Sequence, residues 1–129
     1  MKTVLAVDDR PLILMRYTLI LQNAYNVITA RAPSQALSMI ERKPVVSIDL
    51  LITDLNMPQA IRGDQLIKEV YQRLGRQEIK FILASNDSED TVQPYLKQLE
   101  KQGVPGVRYL DKSQAGEKLV QLVESAIGR

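Results

Sequence analysis

The sequence predicts an α/β fold built as a doubly wound parallel sheet of five strand–helix units, (βα)5, with helices on both faces. Three observations lead to it. Five short apolar runs recur along the 129 residues, each gap between or after them holds one helical pattern, and the composition is that of an ordinary globular domain, 45% hydrophobic and 25% charged. A chain of this length buries roughly two-thirds of its unfolded surface, so its fold requires neither a metal nor a disulfide.

The five apolar runs are about as long as buried strands and are rich in Val, Ile and Leu. They lie at Thr3–Val7, Asn26–Ala30, Asp49–Thr53, Lys80–Ala84 and Gly106–Leu110. Because each pair of runs is separated by a helix-length segment, the strands pair in parallel through right-handed crossovers.

The first predicted helix starts at Pro11, a residue well suited to a first helical turn. Its apolar face is predicted to contain Leu12, Ile13, Met15, Leu19 and Ile20. The other helices are predicted at Ser34–Arg42, Gly63–Leu74, Ser88–Gln102 and Ala115–Ile127. Pro94 lies inside the fourth of these, and we expect it to shorten that helix or to mark its first turn.

The composition excludes several classes of chemistry. With no cysteine and no histidine, the chain has no disulfide framework, no thiolate metal site and no Ser-His-Asp triad. The net charge of +2 is dispersed and tryptophan is absent, so direct nucleic-acid binding is not expected. Neither a signal peptide nor an apolar run of membrane length is present, and we expect a cytoplasmic protein that does not contact the membrane.

Charged and polar residues follow the ends of four predicted strands. Asp8 and Asp9 follow the first run, Asp54 the third, Ser85 the fourth and Lys112 the fifth. The carboxyl ends of parallel strands lie at one edge of the sheet, which is where doubly wound folds place their sites. We therefore expect three carboxylates, one hydroxyl and one amine to lie together.

Asp49 provides an internal comparison, because it opens the third run and lies about 16 Å from Asp54, at the opposite edge. Three carboxylates in one cluster repel each other unless a divalent cation lies among them, and oxygen ligands suit Mg²⁺. With Lys112 and Ser85 opposite, such a site can receive a phosphoryl group on a nucleophilic carboxylate.

Four segments together resemble the receiver domain of two-component response regulators. They are Val7–Pro11, Leu51–Pro58, Leu83–Ser85 and Tyr109–Lys112, and the likeness extends over nearly the whole chain. Its most specific part runs from residue 54 to 58. Together with Gly63–Lys68, that part is similar to the receivers of capsule-synthesis-type (LuxR/NarL-class) transcription regulators.

The resemblance implies a single receiver domain over residues 1–129 with the flavodoxin-like strand order 2-1-3-4-5. It implies a phosphoacceptor switch rather than an enzyme, with at most weak autophosphorylation and autodephosphorylation. Asp54 would accept the phosphoryl group from a phosphohistidine on a sensor histidine kinase or histidine phosphotransferase. The absence of histidine from the chain fits a donor on a partner.

A magnesium site is also implied by the resemblance. Asp9, Asp54 and the backbone carbonyl of Asn56 would ligate Mg²⁺, and Asp8 would act largely through water.

The resemblance further implies that Ser85 and Lys112 contact the phosphoryl oxygens. Ser85 and Tyr109 would report phosphorylation as switch residues, and Asn56 and Asp87 would tune the lifetime of the phosphorylated state. The output would be a downstream protein or output domain, and dimerisation through the fourth- and fifth-helix surface is a further option.

Alternatives remain open for single residues and for the whole chain. Asp9 can also cap the first helix, and Lys112 taken alone reads as a solvated lysine. A binding module independent of phosphorylation is one alternative function, because Asn86 and Ser113 replace the small residue and the proline usual in the family. A magnesium-dependent aspartyl-phosphate phosphatase is the other.

Overall fold

A computed structural model describes residues 1–42, 47–58 and 60–129. It contains a five-stranded parallel sheet in the order β2-β1-β3-β4-β5, which confirms the predicted architecture and strand order. The strands are β1 Thr3–Val7, β2 Asn26–Ala30, β3 Leu50–Asp54, β4 Lys80–Ser85 and β5 Arg108–Asp111. The helices are α1 Pro11–Leu21, α2 Pro33–Glu41, α3 Gly63–Lys68, α4 Glu89–Lys101 and α5 Glu117–Ile127.

The core has two layers because successive residues of a strand point to opposite faces of the sheet. Val4 and Ala6 of β1 pack with α1 and α5, and we call this side the α1–α5 face. Leu5 and Val7 pack on the other side with α2, α3 and α4. Residues just beyond a strand continue this alternation, which determines the side on which each functional side chain lies.

Three strands differ in extent from the prediction, and the smallest difference is in β4, which ends at Ser85 instead of Ala84. β3 runs from Leu50 to Asp54, one residue later than expected, so Asp54 is the last strand residue rather than the first loop residue. β5 begins at Arg108 instead of Gly106, because Gly106 has a φ of 72°, outside the extended region. All three strands still end at the predicted edge.

The predicted apolar face of α1 is wrong. Leu12, Met15 and Leu19 are exposed to solvent, while Leu14 and Tyr17 are buried against the sheet. Apolar residues occur on all sides of this helix, so the 3.6-residue period does not identify the buried side. The remaining predicted face residues, Ile13 and Ile20, are half-buried on its flanks.

Pro94 does not shorten α4, which runs without interruption from Glu89 to Lys101. A proline removes one backbone hydrogen bond. Burial of Val92 and Leu99 on the inner face of α4 offsets that cost.

The other helices depart from their predicted limits at their ends. α3 continues as a π-helical turn over Glu69–Arg73, and a 3₁₀ turn at Lys112–Gln114 delays the start of α5 to Glu117. Within the described ranges, every helix is too short or too polar to cross a bilayer.

Candidate functional site

The predicted site residues lie together at one edge of the sheet. Asp8 follows β1, Asp54 and Ser85 are the last residues of β3 and β4, and Lys112 follows β5. In the part of the chain that the structure describes, these four and Thr53 are the buried polar or charged residues. Such residues are rarely buried unless they are paired, so their concentration at one edge marks a site.

Lys112 joins two of the carboxylates. Its Nζ atom lies 2.6 Å from Asp8 Oδ2 and 3.0 Å from Asp54 Oδ1, and its side chain is only 4% exposed. The interpretation of Lys112 as a solvated surface lysine is therefore wrong. A buried ammonium shared by two buried carboxylates holds the ends of β1, β3 and β5 together.

Asp8, Asp9 and Asp54 form the acidic cluster, in which one carboxylate oxygen from each lies within 4.8 Å of the others. Three carboxylates and the single Lys112 ammonium give the cluster a formal charge of −2. Burial raises the pKa of the Asp54 carboxyl, and the charge of Asp8 raises it further, while Lys112 lowers it. Oxygen donors and this charge fit a hard divalent cation such as Mg²⁺.

Asp8 and Asp9 do not cap α1 in the expected way. The N-cap residue is Arg10, whose side chain makes no capping hydrogen bond, and the Arg10 backbone N–H donates to Asp8 Oδ1 at 2.9 Å. The alternative in which Asp9 caps the helix is therefore wrong. The half-buried carboxylate of Asp9 instead faces the acidic cluster.

Asp87 connects the other predicted residues of the site. Its backbone N–H donates to Ser85 Oγ at 3.0 Å, and its carbonyl accepts from the Tyr109 hydroxyl at 2.6 Å. Its carboxylate accepts from Asn56 Nδ2 at 3.3 Å. The predicted phosphoryl ligand Ser85 is thus two hydrogen bonds from Tyr109, which gives a physical route between them.

Gly63 is a site residue whose role the sequence analysis missed. A Cβ atom at this position would lie 2.1 Å from the Asp54 carbonyl oxygen, and the Gly63 N–H donates to the Leu55 carbonyl at 2.9 Å. Only glycine allows α3 to begin against the end of β3. The sequence contains a glycine here but no signal for this through-space contact.

The site opens into a cleft of about 470 Å³. Its lining includes Asp9, Arg10, Asp54, Asn56, Arg62 and Lys112. Arg62 was not predicted. Its guanidinium is held by Asp64 at 3.0 Å and lies 5.2 Å from the centre of the Tyr95 ring. The cleft therefore has acidic groups at its base and a fixed cation at its rim.

The sequence is similar to those of known proteins. Residues 4–124 match the family model of the response regulator receiver domain. The transcriptional regulatory protein ComA of Bacillus subtilis is 25% identical over 124 residues, which cover 95% of this chain; the chain spans 55% of the length of that relative.

Two solved structures are similar over nearly their whole length. The chemotaxis protein CheY4 of Vibrio cholerae has a TM-score of 0.81 at 25% identity, covering 98% of this chain and 99% of its own. The response regulator TrrA of Thermotoga maritima, in complex with Mg²⁺ and BeF, has a TM-score of 0.75 at 27% identity, covering 98% and 100%. With the family model matching most of its length, the chain belongs to the response regulator receiver domain family.

Proposed function

We propose that this receiver domain is a phosphoacceptor switch in which Asp54 takes a phosphoryl group from a phosphohistidine. One observation carries the proposal: Asp54 lies at the base of the cleft, beside two further carboxylates and a buried ammonium. This arrangement supports phosphoryl transfer, which needs positioning and charge neutralisation more than covalent chemistry from the protein.

In the proposed reaction an Asp54 carboxylate oxygen forms a bond to phosphorus. The P–N bond of the phosphohistidine breaks, and its electron pair returns to the imidazole nitrogen. The chain contains no histidine, and we propose that the donor histidine belongs to a sensor histidine kinase or a histidine phosphotransferase.

Asp9, Asp54 and the backbone carbonyl of Asn56 would hold Mg²⁺, with Asp8 acting through water. Bound Mg²⁺ supplies positive charge that lets a phosphoryl group approach three carboxylates. Lys112, already 3.0 Å from Asp54 Oδ1, is placed to turn to a phosphoryl oxygen. The Ser85 hydroxyl is placed to donate to another phosphoryl oxygen.

The switch would use the hydrogen bonds around Asp87. When Ser85 turns toward the phosphoryl group, the Asp87 N–H loses its acceptor, and the loop that holds the Tyr109 hydroxyl shifts. Phosphorylation would thus change a two-state equilibrium read at Tyr109. The contact of Asn56 with Asp87 lies over the cleft and supports a role for both residues in the lifetime of the phosphorylated state.

The remaining parts of the proposal concern partners. We place the switch in the cytoplasm, acting on a downstream protein or output domain, with a homodimer as a further option. The similarity to ComA, named as a transcriptional regulatory protein, supports an output in transcription.

The test is incubation with acetyl phosphate and Mg²⁺ followed by intact-mass measurement. We expect the wild type to gain one phosphoryl group and Asp54→Asn to gain none. EDTA should abolish the gain. Asp49→Asn, which changes the carboxylate at the other end of the same strand region, should retain it.

The proposal fails if the wild type gains no mass or if Asp54→Asn gains the same mass. Repeated turnover of a phosphate ester such as p-nitrophenyl phosphate would indicate the phosphatase alternative instead. Partner binding that is unchanged in Asp54→Ala would indicate the binding module that does not use phosphorylation.

A further inference from the structure

Two buried side-chain atoms in the described residues lack a hydrogen-bond partner: the Tyr17 hydroxyl and Asp8 Oδ2. The Asp8 atom lies in the ion pair with Lys112, but the Tyr17 hydroxyl has no acceptor at all among those residues. A buried hydroxyl without a hydrogen-bond partner lowers the free energy of unfolding, and phenylalanine at the same position would avoid this cost. The Tyr17 hydroxyl can donate a hydrogen bond, and Asp8 Oδ2 can accept one.

Both atoms belong to the same side of the sheet. Tyr17 belongs to the hydrophobic cluster on the α1–α5 face, which also contains Ala6 and Ile52. Asp8 and Asp54 continue the alternation of those two strand residues and therefore point to that face as well. Helical side chains lean toward the N-terminus of their helix, and α1 begins shortly after Asp8, so we infer that the Tyr17 side chain leans toward the acidic cluster.

The electrostatics agree with this direction. Burial raises the pKa of the Tyr17 hydroxyl, and the charges of Asp8 and Asp54 raise it further, while Arg16 lowers it slightly. Tyr17 therefore stays protonated at neutral pH, as a hydrogen-bond donor in the field of two carboxylates.

We propose that Tyr17 is a positioning residue of the phosphorylation site. Its hydroxyl donates to Asp8, directly or through one buried water, when Lys112 leaves Asp8 for a phosphoryl group on Asp54. The inference rests on the proposed function, since only a phosphoryl group draws Lys112 away. In the free protein Lys112 is paired with Asp8, and the Tyr17 hydroxyl has no acceptor among the described residues.

The experiment compares wild type with Tyr17→Phe, which removes the hydroxyl and keeps the buried ring. Thermal melting in EDTA measures the free protein, and calorimetric titration with beryllium fluoride at saturating Mg²⁺ measures the loaded state. We expect the melting temperature in EDTA to stay equal or rise, while beryllium fluoride binds about three- to tenfold more weakly, as for one lost hydrogen bond.

Tyr25→Phe is the matched control. Tyr25 is also buried, but its hydroxyl donates to the Gly128 carbonyl at 2.7 Å, away from the site. We expect this variant to melt at a lower temperature and to bind beryllium fluoride as the wild type does. A merely structural role for Tyr17 would give the same pattern as Tyr25.

A double-mutant cycle tests the partner of the hydroxyl. In an Asp8→Asn background, the effect of Tyr17→Phe on beryllium fluoride binding should shrink, because the acceptor carboxylate has been changed. Equal binding by wild type and Tyr17→Phe overturns the inference and leaves the proposed function intact. If the wild type binds no beryllium fluoride with Mg²⁺, the proposed function and this inference fail together.

Discussion

Asp49 and Asp54 lie at opposite ends of β3 and have opposite surroundings. Asp49, just before the strand, accepts a hydrogen bond from the Thr3 backbone N–H at 2.8 Å and helps to join β1 to β3. Asp54, the last strand residue, is buried beside Asp8 and Asp9 and is balanced only in part by Lys112. The Asp49 carboxylate stabilises the fold. The Asp54 carboxylate contributes little to the stability of the free protein.

The difference shows that the two ends of one strand can have different roles. The amino end of β3 stabilises the sheet, and its carboxyl end contributes to the site. Backbone donors of β1 are available to Asp49, whereas the site residues come from side chains that follow other strands. Crowded like charges store unfavourable energy in the free state. A divalent cation that enters the cluster would release that energy, and this release would couple cation binding to the stability of the fold.

The largest expected effect is at Lys112. Lys112→Met leaves Asp8 and Asp54 buried without their shared cation, and we expect a loss of about 3–5 kcal/mol in the free energy of unfolding. Chemical denaturation in EDTA measures this loss, and added Mg²⁺ should recover part of it.

Lys80→Met is the control for the other edge, because Lys80 is an exposed lysine at the amino end of β4. We expect a change within about 0.5 kcal/mol. Equal effects of the two lysine substitutions would contradict the contrast between the two edges.

The next largest effect is expected at Gly63, which packs against the Asp54 carbonyl. Gly63→Ala places a methyl group against the Asp54 carbonyl, and we expect it to lower the free energy of unfolding by about 1–3 kcal/mol and to slow phosphorylation. Gly75→Ala should cost about 1 kcal/mol because Gly75 has a φ of 66°, but with open space around it the phosphorylation rate should not change. A wild-type phosphorylation rate in Gly63→Ala would show that this contact does not position Asp54.

The smallest effect compares the two carboxylates directly. Asp49→Asn should lose about 1 kcal/mol, the difference between a charged and a neutral acceptor. Asp54→Asn should melt above the wild type at pH 7 in EDTA. Burial raises the pKa of Asp54, so the stability of the wild type falls as pH rises through that pKa, and asparagine removes this loss.

Melting curves from pH 3 to pH 8 check the direction of this pH dependence. The advantage of Asp54→Asn should shrink toward pH 3, where Asp54 becomes protonated in both states. An advantage that grows toward low pH would show that the Asp54 carboxylate stabilises the free protein.

The sequence was sufficient for the sheet and for the gathering of the site. Apolar runs of strand length separated by helices specify parallel strands, and parallel strands place Asp8, Asp54, Ser85 and Lys112 at one edge. This inference needs only the order of residues along the chain. The same reasoning placed Asp49 at the opposite edge, where it lies.

The parts that could not be predicted depend on contacts through space. The buried side of α1 was missed because apolar residues surround that helix, so Leu12 and Leu14 look equivalent in the sequence. Gly63 owes its role to the Asp54 carbonyl, and Tyr17 looks like any core aromatic until its unpaired hydroxyl is seen. Periodicity describes one element at a time and carries no information about such contacts.

The most direct measurement of the central claim locates the phosphoryl group. Borohydride reduces an aspartyl phosphate to homoserine, and peptide mass spectrometry identifies the converted residue after treatment with acetyl phosphate and Mg²⁺. We predict conversion at Asp54 alone. Conversion at Asp8, Asp9 or Asp49 instead, or no conversion in protein that remains folded, would contradict the account.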